Sequence, residues 1–288
     1  EQAVRNKAGF FINFNGTGGI WRKSCIVDAG NWEGDTLTED LDLSYRAQLN
    51  GWKFIYLKDF TSPAELPSEI NALKSQQFRW TKGSIETAKK ILPLVWKAKI
   101  PLRVKLQSTF HLTNNIVFPF ILLAAILNVP LIFIKNSGPH EAYFAIMSIF
   151  VLAFISSFFF YLYSQKDIRK DWRKKIVLFP LFMAGSMGLA VNNSKAVFDG
   201  LLNRKSEFVR TPKFNVENKK DSWVGKKYTT TKLDMSTVVE LIMAIYCFIG
   251  VVASVYFLEI AAFPFQFLFF LGFTFVSFES IKQAFTKS

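Results

Sequence analysis

The chain has 288 residues, half of them hydrophobic and 32 of them phenylalanine, a composition too apolar for an ordinary soluble domain. Its formal net charge of +13 would suit a nucleic-acid partner, but Lys and Arg gather in loops between apolar runs, with no basic helix or zinc spacing beside them. That pattern argues against nucleic acid and for membrane topology. Cys25 and Cys247 lie far apart and give neither a disulfide framework nor a metal signature.

Residues 1–110 mix charge and hydrophobicity as a globular domain does, whereas 111–288 carry long apolar runs. The opening residues, Glu1 to Lys7, include no Met, so the chain is expected to begin inside a longer protein. Along the polar part, Phe14-Asn15-Gly16-Thr17-Gly18-Gly19 permits close backbone approach to a ligand or a tight turn. It is not a P-loop, because no Gly-Lys-Ser/Thr follows. A helix is predicted from Thr38 as cap through Glu39, Asp40 and Asp42 to Leu49, with Asn50-Gly51 closing it. Lys53–Leu57 then reads as a buried strand, which points to an α/β domain.

The first-turn carboxylates have two readings. Negative charge at a helix start is stabilised by the dipole and free N–H groups; alternatively one of them is a general base, kept ionised by that same dipole. A second helix, starting at Pro67-Ser68-Glu69, places Gln76, Arg79 and Trp80 at i, i+3 and i+4 on one face. Arg forks onto phosphate oxygens, Gln reaches a hydroxyl or phosphate, and an indole offers a platform to a sugar ring. A surface Arg stacked on a half-buried Trp has the same appearance. His111 and His140 are too isolated for a metal pair and suit capping or interfacial roles.

Four runs, about 116–134, 143–163, 238–258 and 261–278, are long enough to cross a bilayer. The loops at 164–175 and 204–232 carry six and nine Lys/Arg, so the positive-inside rule puts both, and the amino-terminal domain, in the cytoplasm. Residues 176–202 are then expected to lie in the interface, with apolar positions 197, 198, 201 and 202 at helical spacing; a fifth crossing is the alternative. Glu240, inside an apolar run, either lines a pathway or snorkels to the surface.

In order, Phe14-Asn15-Gly16-Thr17, Thr38-Glu39-Asp40, Gly51–Leu57, Glu65-Leu66-Pro67 and Gln76-Gln77-Phe78-Arg79-Trp80 resemble the second half of the catalytic domain of family-2 processive glycosyltransferases. The likeness is strongest to cellulose-synthase-like mannan and glucan synthases. The resemblance implies a glycosyltransferase-A-type α/β domain followed by a helical transmembrane bundle. It implies Asp40 as general base with Glu39 as an orienting carboxylate. Gln76, Arg79 and Trp80 would lie by the donor diphosphate and acceptor sugar, and Asn15, Gly16 and Thr17 near the acceptor end of the cleft. Phe208, Thr211 and Lys213 look similar to the family's gating loop, although Arg210 replaces its valine. The nucleotide-diphosphate sugar and a divalent metal, Mg or Mn, would be bound chiefly by a preceding half with a D-x-D motif, leaving no metal site in this chain. The acceptor would be a growing β-linked glycan or a glycolipid. A non-processive enzyme of the same family, or a transporter or scaffold, are the rival readings.

Overall fold

The computed structural model describes residues 1–16, 18–139, 141–147, 149, 151–206 and 234–285. They form two compact units, one of residues 1–119 with 192–206, the other of 120–191 with 234–285.

In the first unit, α1 (Gln2–Lys7), α2 (Lys23–Asp28), α3 (Glu39–Leu49), α4 (Ile70–Lys97) and α5 (Leu102–Thr113) follow one another, and a 3-10 turn, Asn114–Ile116, leads into α6 (Val117–Lys135). The acidic first turn predicted for α3 is there, and Gly51, at φ +90°, ends it in the left-handed region that glycine tolerates. Thr38 holds the cap position, but its hydroxyl does not cap; it lies 3.1 Å from the Thr87 hydroxyl on α4. Two apolar clusters hold these helices together. Tyr45, Ala88, Ile91, Val95 and Leu112 join α3, α4 and α5, and Cys25, Ala29, Leu43 and Ala47 join α2 to α3.

The strand expected at Lys53–Leu57 is not formed, and no strand occurs among the described residues. A strand needs a neighbour's backbone to take its N–H and C=O groups, and every regular element around it is a helix. The side chain of Asn6 partly substitutes, donating to the Phe54 carbonyl at 2.8 Å and accepting from the Tyr56 N–H at 3.0 Å. The segment is not buried either: Ile55 is 82% exposed. The described fold is therefore helical, and the α/β expectation finds no support in it.

The second unit takes most of α6 and adds α7 (Glu141–Met147), α8 (Val151–Ile168), α9 (Trp172–Ile176), α10 (Phe179–Gly188), α12 (Met235–Tyr256) and α13 (Phe263–Phe285); α11 (Ala190–Leu201) carries the chain into the first. Helices over Leu102–Lys135, Ala142–Ile168, Met235–Tyr256 and Phe263–Phe285 are long and apolar enough to cross a membrane. Ten residues of α10 rise only about 15 Å, half of a ~30 Å hydrocarbon core. Helices α10 and α13 meet in backbone contact at Gly188 and Gly272, and α6 is tied to α12 by the Tyr246 hydroxyl donating to the Ile126 carbonyl at 2.6 Å. Lys135, at the end of α6, pairs with Glu259 in the α12–α13 connection at 2.5 Å, so these two short connections share one end of the unit. Glu240 is fully buried in α12 and does not snorkel.

In α11 the observed face differs from the pattern read in the sequence. Val197 is buried beside Asn192, Asn193 and Ala196, whereas Phe198, Leu201 and Leu202 are 52%, 45% and 61% exposed. Its packed side is small and polar because Gly200 sits against Ile85 and the Lys82 carbonyl of α4, where little room exists.

Candidate active site

Three of the sequence motifs meet at the start of α3. Asp40 lies in the first turn, its Oδ1 accepting from the Leu41 N–H and its Oδ2 from the Gly16 N–H, both at 2.8 Å. Helix α4 is brought to the same place by Gly83. A Cβ there would stand 2.8 Å from the Thr38 nitrogen and 2.9 Å from the Leu37 carbonyl carbon, so only glycine allows the approach. Glu86, on the next turn, accepts from the Leu37 N–H at 3.0 Å. Arg79 is one turn before Gly83, and its guanidinium feels the charges of Glu39 and Asp40. Trp80, beside it, is 48% exposed; Gln76 precedes Arg79 by one turn of α4.

Burial pushes the Asp40 carboxyl above the ordinary aspartate value, and the Glu39 charge adds to this, while the Gly16 and Leu41 amides pull it back. Desolvation thus outweighs the two backbone amides at the helix start. Burial also draws the Arg79 pKa down, opposed by the two carboxylates; a guanidinium remains charged regardless. The result is a largely buried carboxyl group and a guanidinium that feels its charge.

The model of the family described as Glycosyl transferase family group 2 matches residues 2–162, a segment that contains all three of these motifs. The chain belongs to that family. Among curated proteins, a probable glucomannan 4-beta-mannosyltransferase 10 of Arabidopsis thaliana is 32% identical over 221 residues, 74% of this chain and 38% of that protein. A probable glucomannan 4-beta-mannosyltransferase 7 of Oryza sativa subsp. japonica is 43% identical over 124 residues, 42% of this chain and 21% of that protein. The chain therefore spans well under half the length of these relatives. No solved structure matches it.

Other expected residues fall differently. Thr17, Phe208, Thr211, Lys213 and His140 lie outside the described residues. Asn15 is exposed and accepts from the Asn13 side-chain amide at 2.6 Å. The His111 Nδ1 takes hydrogen bonds from Arg5 at 2.9 Å and Tyr45 at 2.7 Å. Because a guanidinium only donates, this nitrogen is an acceptor, and His111 ties α1, α3 and α5 together.

The family's divalent metal can be tested against the residues present. Among the described residues, Glu33, Asp35 and Asp42 converge, but they converge on the Lys90 ammonium, at 2.5, 2.9 and 3.2 Å, with Arg46 also on Asp42 at 2.7 Å. A dication would have to displace a lysine, so this cluster does not fit a metal.

Buried Ser44 and Gln48 on α3, and Gly83 on α4, escaped the sequence reading. The signal for the first two was the i, i+4, i+8 spacing of Asp40, Ser44 and Gln48.

Proposed function

We propose that this chain is the acceptor-side part of a membrane-embedded, inverting glycosyltransferase. The reaction moves a hexosyl group, with mannosyl the first to test given the relatives' names, from a nucleotide-diphosphate sugar to a growing β-linked glycan. The supporting observation is the convergence of Gly16, Asp40 and Arg79, three sequence-distant motif residues, at one helix start.

Asp40 takes the proton from an acceptor hydroxyl as that oxygen attacks the anomeric carbon. Glu39 holds negative charge beside it. Arg79 stabilises the charge that develops on the departing diphosphate, where bidentate N–H bonds are most useful. The exposed face of Trp80 carries the acceptor ring, with Gln76 reaching its hydroxyls. Attack opposite the leaving group inverts the anomeric centre, turning an α-linked donor into a β-linkage. Nucleotide and metal binding belong to the part of the relatives' length that this chain does not span, which would also supply strands to pair with residues 53–57.

On this reading Asp40 is cytoplasmic, as the basic loops at 164–175 and 204–232 suggest. The Lys135–Glu259 pair supports this, since it holds two loops poor in Lys and Arg at one end. The exposed strip Phe198, Leu201 and Leu202 suits a helix lying in the interface. The gating role of Phe208, Thr211 and Lys213 goes with that topology.

The test is Asp40→Asn in the full-length protein. Transfer should fall by at least about 100-fold, the usual range for a general base, with donor binding retained. Transfer within a few-fold of wild type removes Asp40 from the base role.

A further inference from the structure

Three side chains on one face of α3 meet alternate residues of the segment that leads into the glycine-rich stretch. Gln48 takes both backbone groups of Ile12, its Oε1 accepting from the N–H at 3.0 Å and its Nε2 donating to the carbonyl at 2.7 Å. Ser44 Oγ accepts from the Phe14 N–H at 2.8 Å and sends its own proton to the Asp40 carbonyl at 2.5 Å. Asp40 Oδ2 accepts from the Gly16 N–H at 2.8 Å. Residues 40, 44 and 48 share a helical face, and 16, 14 and 12 share one side of an extended chain running the opposite way.

The two lower contacts are secluded from water. Ser44 is fully buried and Gln48 is 8% exposed, so a broken contact there leaves a polar group without a substitute partner. The upper contact is different, because Gly16 is exposed and water competes for its N–H. What holds the Gly16 amide against Asp40 is therefore the anchoring of residues 12 and 14 below it.

We infer that Ser44 and Gln48 are positioning residues for sugar transfer: they set the place of the Gly16 N–H against Asp40, and so the direction in which the carboxylate offers its remaining lone pairs to the acceptor hydroxyl. This rests on the reading of Asp40 as the base. The other charged groups facing Asp40 are Glu39 on its own helix and Arg79 from α4, and residues 12–16 bring none. An N–H donated to a carboxylate favours its ionised form. Loosening the Gly16 contact therefore moves the ionisation of Asp40 to higher pH.

The experiment is the pH dependence of transfer by Ser44→Ala and Gln48→Glu in the full-length, membrane-inserted protein, each normalised to the amount that retains donor binding. Both should lower kcat by about tenfold with donor KM nearly unchanged, as expected when a proton acceptor is misaimed. The acidic limb should rise by roughly half a unit or more, as loss of an N–H to a carboxylate implies. Gln48→Glu keeps the acceptor for the Ile12 N–H and puts a carboxylate oxygen where Nε2 donated to the Ile12 and Ser44 carbonyls; retained donor binding shows which of the two variants is folded, and either one suffices for the reading. Normalised rates within twofold of wild type, or a lower kcat with the limb unmoved, overturn the inference. Failure of the base assignment is separate and shows as full activity in Asp40→Asn.

Discussion

Gly188 of α10 and Gly272 of α13 touch through their backbones. A Cβ on Gly188 would lie 2.3 Å from the Gly272 carbonyl oxygen, and one on Gly272 would lie 2.2 Å from the Ala184 carbonyl oxygen. Neither obstacle is a side chain that can swing away, so even a methyl group must separate the helices. Gly272→Ala is expected to destabilise this unit by about 1–3 kcal/mol, the usual cost of overpacking. Gly185→Ala is the control. It lies on α10, one turn before Gly188, with nothing within 4 Å of its added Cβ, so it should be neutral or slightly stabilising, by up to ~1 kcal/mol of helix propensity. Thermal melts of the detergent-solubilised protein read both, and equal melts for the two variants would contradict the close crossing.

Arg79 and Trp80 are neighbours with different expected roles. Trp80→Ala should damage transfer to acceptor more than hydrolysis of donor, because it removes a platform for the sugar ring. Arg79→Ala should impair both, since a loosened diphosphate leaves poorly whichever nucleophile attacks. Assays of transfer and donor hydrolysis on the same preparations distinguish them. Parallel losses in both assays would make the pair a structural unit.

The pH dependence of transfer has a definite sign. Burial and Glu39 raise the Asp40 pKa, and only the ionised form accepts a proton. Activity should therefore rise with pH through an ionisation above that of a free aspartate. Glu39→Gln removes one of the charges that raise it and should move the limb to lower pH; a shift in the other direction would contradict the assigned cause.

The acidic group at Glu33, Asp35 and Asp42 is held by Lys90. Lys90→Met removes the ammonium from all three carboxylates while Arg46 stays on Glu33 and Asp42, and should cost about 1 kcal/mol, since Glu33 and Asp35 are largely solvated. Calcium, which accepts several carboxylate oxygens, should restore stability to this variant while leaving the wild type unchanged. Calcium stabilisation of the wild type through the same three residues would show that Lys90 does not occupy the site.

Topology can be tested independently of the catalytic residues. Single cysteines at Ser164 and Ser222, with Cys25 and Cys247 replaced, should both resist an impermeant thiol reagent applied to intact cells. Labelling at Ser222 would mean that residues 176–202 cross the membrane.

The start of α3 was readable because its signals are local: acids in the first turn, and Asn50-Gly51 at the end, act within a few residues of the backbone they stabilise. The long apolar helices are readable for a similar reason, since length and composition alone set their fitness to cross a bilayer. Thr38 stands at the cap position as read, but its hydroxyl is claimed by Thr87, 49 residues away in sequence, and does not cap. Lys53–Leu57 failed as a strand because β-structure requires a second strand, which no local pattern supplies. Gly83 was passed over inside a helix, where glycine usually marks a weak point, and its use is to let α4 reach the first turn of α3. Ser44 and Gln48 look like a solvated helix face when only hydrophobicity is read.

The contacts between α3 and residues 12–16 work like a vernier. Four residues of helix advance about 6 Å, while two residues of extended chain advance about 6.6 Å, so the two scales drift by about 0.6 Å at each mark. Three marks can be kept within hydrogen-bond tolerance, and a longer coincidence could not. The chain leaves the scale at its third mark, at Gly16, whose φ of +62° turns it away just where the mismatch would begin to tell. The distance from Ile12 to the Asp40 carboxylate is thus counted in whole residues. Inserting or deleting one residue between Ile12 and Gly16 would turn the opposite side of the segment toward the helix, with no intermediate setting available.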